Sequence, residues 1–391
     1  MSLSIYIHTP FCLQRCRYCD FTTFESHEIY PPEEYFKDLH REISHRHHLW
    51  KDRHLQSIYF GGGTPSLVDP KLIVATLQAL ANAGFHLPAE AEVTIEINPA
   101  TLTEKSLEQY LSAGINRFSV GAQSFNDRLL KLCGRKHDAE DTRNTLRLLK
   151  KRDLNYSFDL LFALPHQSVE DLEKDLQEIL EWRPPHLSTY CLTVPEGHPM
   201  SFHRPEDEEQ IEMFELIEKT LAKIELYKYE LSNFARPGFE SVHNGCYWKD
   251  QAFWGIGLSS HSYAPDLGPF GTRFWNTKSV KRYPEEVKRQ GPQLPDLFSE
   301  DQRETLAQHE AMTDFCHMYL RTLRGLPLEA LQKFDSSARH LLRTRFQELI
   351  QDGLLTFTES HYRLTEEGQL KSNLVYRHLT FLKDEVNDAV H

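Results

Sequence analysis

Apolar residues fall into short dense runs, separated by longer stretches in which they recur every three or four positions. The dense runs lie at 2–8, 57–60, 92–98, 117–121, 157–162 and 186–193; each is rich in Ile, Val, Phe, Tyr or Leu and closed by Gly, Pro or Asn, as strands are. Between them, helical spacing appears at 33–48, 70–83, 104–113, 139–151 and 169–182. Thr103 stands where it caps the third of these helices, and Ser168 with Asp171 three residues on makes a capping box for the last. Repeated strand–helix units predict a parallel sheet with helices outside. Six such units, with polar motifs on the strand ends, predict an α/β fold built as a full or partial (β/α) barrel whose chemistry sits at the C-terminal ends of the strands.

The pattern loosens after residue 200. A charged stretch, 204–210, leads into a helix over 208–224, and 264–300 is dense in Pro, Gly and charge and reads as a connection. From 299 a different unit begins: helices at 301–322, 327–334 and 336–351, a hairpin at 354–358 and 362–364, and a last helix from about 366. Helices followed by a small hairpin predict a C-terminal helical, winged-helix-like domain. The expected division is a barrel over 1–235, a connecting segment over 236–300 and the C-terminal domain over 301–391. That last fold often binds DNA, but fold alone carries no function, and no basic recognition helix is present.

At 391 residues, 40% hydrophobic and 26% charged, the chain has the composition of an ordinary globular protein. It contains no stretch of about 18 apolar residues that would span a membrane. It opens directly on a strand-like run with no targeting segment, and its seven cysteines are an odd number for a disulfide framework; a reducing compartment, the cytoplasm, is expected. The net charge of −13 argues against nucleic acid as a partner. The run Ser44-His-Arg-His-His48 reads as a solvated helix face.

Directly after the first strand comes Pro10-Phe-Cys-Leu-Gln-Arg-Cys-Arg-Tyr-Cys-Asp-Phe21, which spaces Cys12, Cys16 and Cys19 as C-x3-C-x2-C. Three thiolates this close can converge on a soft metal centre. A structural zinc normally takes four ligands, and an ordinary [4Fe–4S] cluster takes four cysteines; three would leave one iron open to a non-protein ligand. The competing arrangement is a small zinc knuckle completed by His8 or His27.

The other strand ends carry polar motifs. The second reads Tyr59-Phe-Gly-Gly-Gly-Thr-Pro-Ser66, either a tight turn or a place for close ligand approach, and lacks the ending of a phosphate-binding P-loop. In the third, Glu96 sits among apolar residues, where a carboxylate needs either a structural partner or a ligand. The fourth ends in Gly121-Ala-Gln123 and is followed by Arg135; the fifth holds Asp159. A later run, His243-Asn244-Gly-Cys-Tyr247-Trp248, offers an imidazole able to ligate heme iron beside two rings able to pack on a porphyrin, with Cys246 as an alternative thiolate; core packing around a satisfied histidine is the other reading.

The cysteine spacing and the order of these motifs resemble the radical S-adenosylmethionine (SAM) superfamily. Within it they resemble the branch related to oxygen-independent coproporphyrinogen III oxidase, and in that branch the HemW heme chaperones. The resemblance runs over nearly the whole chain, through Gly61-Gly-Gly-Thr-Pro-Ser, Glu-Ile-Asn-Pro, Gly-Ala-Gln-Ser-Phe, Gly-Arg-Lys-His, Asp-Leu-Leu-Phe-Ala-Leu-Pro and Tyr362-Arg-Leu-Thr-Glu-Glu-Gly368. It implies that Cys12, Cys16 and Cys19 hold a [4Fe–4S] cluster whose open iron takes SAM. Tyr6, Tyr18, Gly62, Gly63, Thr64, Glu96, Gln123, Arg135 and Asp159 would contact SAM. His243, Asn244, Tyr247 and Trp248 would contact heme as cargo. It further implies an apo-hemoprotein acceptor, with room for peripheral contact with a membrane-bound one. The alternative in the same branch is the decarboxylating coproporphyrinogen III dehydrogenase, whose pattern continues Cys-x-Cys after the third ligand; here that position is Phe21. Two departures, His166 in the Leu-Pro-Gly-Gln turn and Pro195-Glu-Gly-His-Pro, lie near the expected pocket mouth.

Overall fold

The computed structural model describes residues 1–25 and 29–388. All six expected strands form: β1 Ser2–Thr9, β2 His54–Gly62, β3 Glu92–Ile97, β4 Arg117–Gln123, β5 Asn155–Phe162 and β6 His186–Cys191. The helices between them include Pro32–Arg46, Pro70–Asn82, Glu104–Ser112, Ala139–Lys150 and Val169–Trp182. Thr103 and Ser168 both close capping boxes, which is why those two helices begin where the sequence predicts. Strands β1 to β6 lie side by side in chain order and run parallel.

The pleat of these strands sorts the chain into two faces. Ile5, Ile7, Ile58, Phe60, Val93, Ile95, Phe118, Val120, Phe158 and Leu160 point outward into one large apolar core beneath the helices. Their neighbours in sequence point inward and are polar: Ser4 and Tyr6, Ser57 and Tyr59, Thr94 and Glu96, Arg117 and Ser119, Ser157 and Asp159, His186 and Ser188. Parallel sheets are usually apolar on both faces. Here the inner face borders a cavity instead of a core.

The segment 236–300, expected to be a connection, builds part of the sheet. After β7 Tyr227–Glu230 and β8 Asn233–Ala235 comes the short helix Val242–Trp248. Strand β9 Ala252–Ile256 then pairs in parallel with the free side of β1, placing Trp254 against Ile5. Strands β10 His261–Ala264 and β11 Thr272–Trp275 continue outward antiparallel. The predicted helix over 301–322 is likewise split: β12 Arg303–Thr305 adds the last strand, and the helix is Gln308–Tyr319. Among the described residues the sheet therefore holds twelve strands in the order β12-β11-β10-β9-β1-β2-β3-β4-β5-β6-β8-β7, an open, partial barrel.

The C-terminal domain packs its own core around Met312, Phe315, Leu342, Phe346 and Leu349. Helix Ser336–Gln351 forms as predicted, and 327–334 becomes a 3-10 turn, Leu328–Lys333. The hairpin of β14 Leu355–Thr358 and β15 His361–Leu364 gains a third strand, β13 Leu326–Pro327. Short helices Glu366–Leu370, Ser372–His378 and Lys383–Asp388 end the described chain.

One buried carboxylate holds the first helix to the late part of the sheet. Glu42 accepts from Arg46 Nη1 (2.7 Å), Asn276 Nδ2 (2.7 Å), Tyr283 Oη (2.6 Å) and the Gly257 N–H (3.0 Å). Arg46 belongs to the His-rich run read as a solvated face, yet it is fully buried, and its neighbour His45 hydrogen-bonds Val287 O at 2.8 Å. Breaking a buried pair leaves an uncompensated charge. Glu42→Ala is therefore expected to lower the unfolding free energy by about 3–5 kcal/mol, read as a shifted urea midpoint. A change below about 1 kcal/mol, the range of exposed ion pairs, would show that the network is dispensable.

Candidate functional site

The cysteine loop leaves β1 and is pinned at its base, where the Cys12 N–H donates to Phe24 O (3.1 Å) and the Phe24 N–H to Pro10 O (2.9 Å). Its far side is tied to the helix Asp127–Leu132 region by Arg17 N–H to Cys133 O, 3.0 Å. Cys12, Cys16 and Cys19 are all free thiols and line one cavity of about 1180 Å³. Burial raises the Cys12 and Cys19 thiols, opposed by Thr64 Oγ1 at 3.9 Å from Cys12 Sγ and by the Phe21 backbone N–H at Cys19. Arg135 Nη1 donates to Cys16 Sγ at 3.4 Å. Among the described residues no three His, Cys, Asp or Glu side chains surround a single-ion position. A cluster asks for something different, since each thiolate holds its own iron corner. Three thiols on one wall, two of them with a donor side chain, suit that demand. For the zinc alternative, His8 has both ring nitrogens engaged, by Tyr6 Oη (3.0 Å) and Thr22 O (2.9 Å), and His27 lies outside the described residues.

The three glycines are required by the protein's own packing. Gly62 has φ +105°, and a Cβ there would lie 2.3 Å from His8 Nδ1; on Gly63 it would lie 2.7 Å from both Thr9 O and Phe11 O. The N–H groups of this turn are all spent within the protein: Gly62 on Glu96 Oε2 (3.1 Å), Gly63 on Thr9 O (2.8 Å) and Thr64 on Phe11 O (2.7 Å). None of these three N–H groups is left to donate to a ligand.

Among the described residues Glu96 has no ion-pair partner; Tyr59 Oη (2.9 Å) and the Gly62 N–H hold it. Burial pushes its carboxyl up to about 7, against the pull of these donors. Asp159 is pushed by burial to about 6, opposed by Ser188, Arg117, Arg135 and Ser119. Gln123 sits at φ +70° after a register shift in β4, and Arg135 caps the same strand end by donating to Gly121 O. Tyr18, Gly62, Gly63, Thr64, Glu96, Gln123, Arg135 and Asp159 thus line the same cavity as the cysteines. Tyr6 stands behind the glycine turn, 3.0 Å from the position of a Gly62 Cβ.

The run His243–Trp248 lies elsewhere. Glu92, the first residue of β3, accepts from the Val242 and His243 N–H groups (3.0 and 3.1 Å), seating this helix at the N-terminal ends of the strands. The cysteines lie at the opposite ends; Ser57 and Gly62 on β2 alone are about 17 Å apart. His243 is buried, bonded through Nδ1 to Ser57 Oγ (2.9 Å) and through Nε2 to Tyr247 Oη (3.0 Å), and stacked on Tyr59 at 5.0 Å. Burial lowers its imidazole to about 3. Tyr247 packs edge-on to Phe253, Trp248 lies under Arg321, and Cys246 is fully buried with its Sγ 3.4 Å from Ala252 O. Of this motif only Asn244 lines the cavity.

Tyr59 and Arg117 are cavity residues to which the motifs assign no role. Tyr59 orients Glu96 and is sandwiched between Tyr6 and His243. Arg117, at the start of β4, is 2% exposed and lines the interior. The signal for both was inward alternation with residues already suspected. The cavity is walled on its open side by Arg321, Leu370 and Asn373 of the C-terminal domain, and at the rim stands Phe21, 62% exposed.

A partial barrel with three cysteines after its first strand and a polar interior defines a radical SAM protein, and the radical SAM superfamily profile matches residues 6–179. The HemN C-terminal domain profile matches 306–370. The solved structure of coproporphyrinogen III oxidase (HemN) from Escherichia coli shares the fold, with TM-score 0.81 over 97% of this chain and 90% of that one, at 22% identity. The chain is 32% identical to the heme chaperone HemW of Escherichia coli (strain K12) over 95% of this chain and 96% of that protein. It is 31% identical to the heme chaperone HemW of Lactococcus lactis subsp. lactis over 98% of each. It is also 32% identical to the bovine radical S-adenosyl methionine domain-containing protein 1, mitochondrial, over 93% of this chain and 84% of that one. This chain belongs to the HemW family of radical SAM proteins.

A carboxyl raised from 4.5 to about 7 stabilises the fold fully below pH 4.5, and that contribution is lost as pH rises through about 7. Glu96→Gln, neutral throughout, should not show the loss. Urea unfolding of both proteins between those values is expected to show the wild type weakening relative to the variant as pH rises; parallel curves would mean that Glu96 titrates normally.

Proposed function

We propose that this chain is a [4Fe–4S], SAM-binding protein that binds heme and delivers it to an apoprotein. The observation that carries this is the full-length likeness to two proteins named as heme chaperones, together with Phe21 at the position where the oxidase pattern continues with cysteine. Cys12, Cys16 and Cys19 hold the cluster. Carbonyl oxygens of the Gly62–Gly63 turn accept from the SAM ammonium, Arg135 pairs with its carboxylate as a fork, and Asp159 accepts from a ribose hydroxyl. Gln123, Glu96, Thr64, Tyr18 and Tyr6 complete that seat. The bound cluster with SAM supplies one-electron chemistry; the chain's own part is to orient both and shield them from water.

Heme enters from the open rim, beside Phe21. Asn244 already faces the cavity. His243 reaches heme only if Val242–Trp248 leaves its seat, since both ring nitrogens are bonded within the protein. The free thiols suit a reducing compartment, and the cytoplasm is proposed. Among the described residues no helix is long and apolar enough to cross a membrane, so contact with a membrane-bound acceptor would be peripheral.

Anaerobic reconstitution is expected to give about four irons per chain in the wild type. In Cys16→Ala the content should fall sharply. Heme added to the reconstituted wild type should bind stoichiometrically with a shifted Soret band. His243→Ala should retain that shift if the histidine is structural and lose it if it is the iron ligand. Absence of any shift in the wild type sinks the chaperone reading. Vinyl product from coproporphyrinogen III with reductant and SAM would install the dehydrogenase in its place.

A further inference from the structure

Arg117 stands inside the barrel with donors that nothing in the protein receives. The residue is 2% exposed, and among the described residues neither Nε nor Nη2 has a hydrogen-bond partner. Its nearest carboxylate, Glu92, lies 3.7 Å from Nε, too far for a hydrogen bond, and has both oxygens committed to the Val242 and His243 N–H groups. Asp159 feels the Arg117 charge, while the serine, histidine and tyrosine nearby are satisfied among themselves. Ser157 Oγ bonds His186 Nδ1 at 2.8 Å, and His186 Nε2 bonds Tyr229 Oη at 2.8 Å. Directly across the ladder on β3, the buried Thr94 Oγ1 is also unpartnered.

Glu92 at ion-pair distance balances the charge, but a buried guanidinium whose Nε and Nη2 lack acceptors remains costly, and an oxyanion that accepts from them relieves that cost. The planar fork matches a carboxylate in geometry and charge. The arginine beside the cysteines, at the other ends of the strands, is Arg135; Arg117 touches the SAM seat only through its charge acting on Asp159. The cavity runs continuously between the two.

We infer that Arg117 is the receptor for a carboxylate carried by a second molecule that enters the barrel alongside SAM. That carboxylate comes either from a heme propionate, which rests on the function proposed above, or from a free small carboxylate. Arg117 then decides which molecules seat in the interior, while Arg135 serves the cofactor.

The test compares heme with heme dimethyl ester, whose propionates are blocked, on the reconstituted full chain. Sodium propionate is tested separately by thermal melting. If Arg117 takes a heme propionate, the wild type binds heme about ten- to a hundred-fold tighter than the ester, and Arg117→Gln removes the preference. Arg117→Lys, which keeps the charge but loses the fork, retains part of it and serves if the Gln variant does not fold. If the source is a free carboxylate, heme and ester bind alike, but millimolar propionate raises the melting temperature of the wild type and not of the variants. The proposal is overturned if heme preference and propionate stabilisation are both absent in the wild type or both survive in the variants. Should the wild type bind neither heme nor ester, the heme function fails and the propionate melts alone decide on Arg117.

Discussion

The two-residue pleat of six parallel strands governs this molecule. Each strand must bury one face under helices, and its apolar positions do so with almost no exposure. The alternate positions are thereby forced to the inside, where serine, threonine, glutamate, arginine, aspartate and histidine collect. Filled with valine and leucine, such a barrel would be solid. Lined with polar groups, it must hydrate, pair or bind. The interior chemistry follows from where the strands put their second face.

This geometry sets up two ends and a side. At the C-terminal ends, the cysteine loop, the glycine turn and Arg135 form one assembly. At the N-terminal ends, Val242–Trp248 plugs the barrel by its hydrogen bonds to Glu92 and Ser57. The side left open by an unclosed sheet is walled by the C-terminal domain through Arg321, which also binds Glu230. Tyr59 joins the ends, with its hydroxyl on Glu96 and its ring against His243.

The strands and helices of the barrel are legible in the sequence because each is long, periodic and capped locally; Val169–Trp182 begins and ends where its pattern does. The sheet extension is not legible. Strands β10 to β12 are three or four residues long, too short for a period, and they lie among prolines and glycines that mimic a connection. The upper cavity is legible because its residues end strands in a recognisable order. Arg117 is not, since it begins a strand and belongs to no motif. His243 is half-legible for a related reason: its neighbours in sequence suggest a ligand, while in space Ser57 and Tyr247 bond both ring nitrogens and Tyr59 stacks on the ring. Composition identifies a residue able to ligate; only the fold says whether its nitrogens are free.

The glycine turn does more than border the cysteines. Its Gly63 and Thr64 N–H groups clasp the backbone of Thr9 and Phe11, the residues from which the cysteine loop springs. The seat proposed for SAM and the loop proposed for the cluster therefore share one set of hydrogen bonds. If filling either one rigidified this shared backbone, the other would have less left to order, and thermodynamic reciprocity would make that advantage equal in both directions. Loss of iron would then weaken nucleoside affinity, and a bound nucleoside would tighten the hold on iron, through this shared backbone in addition to the open iron itself.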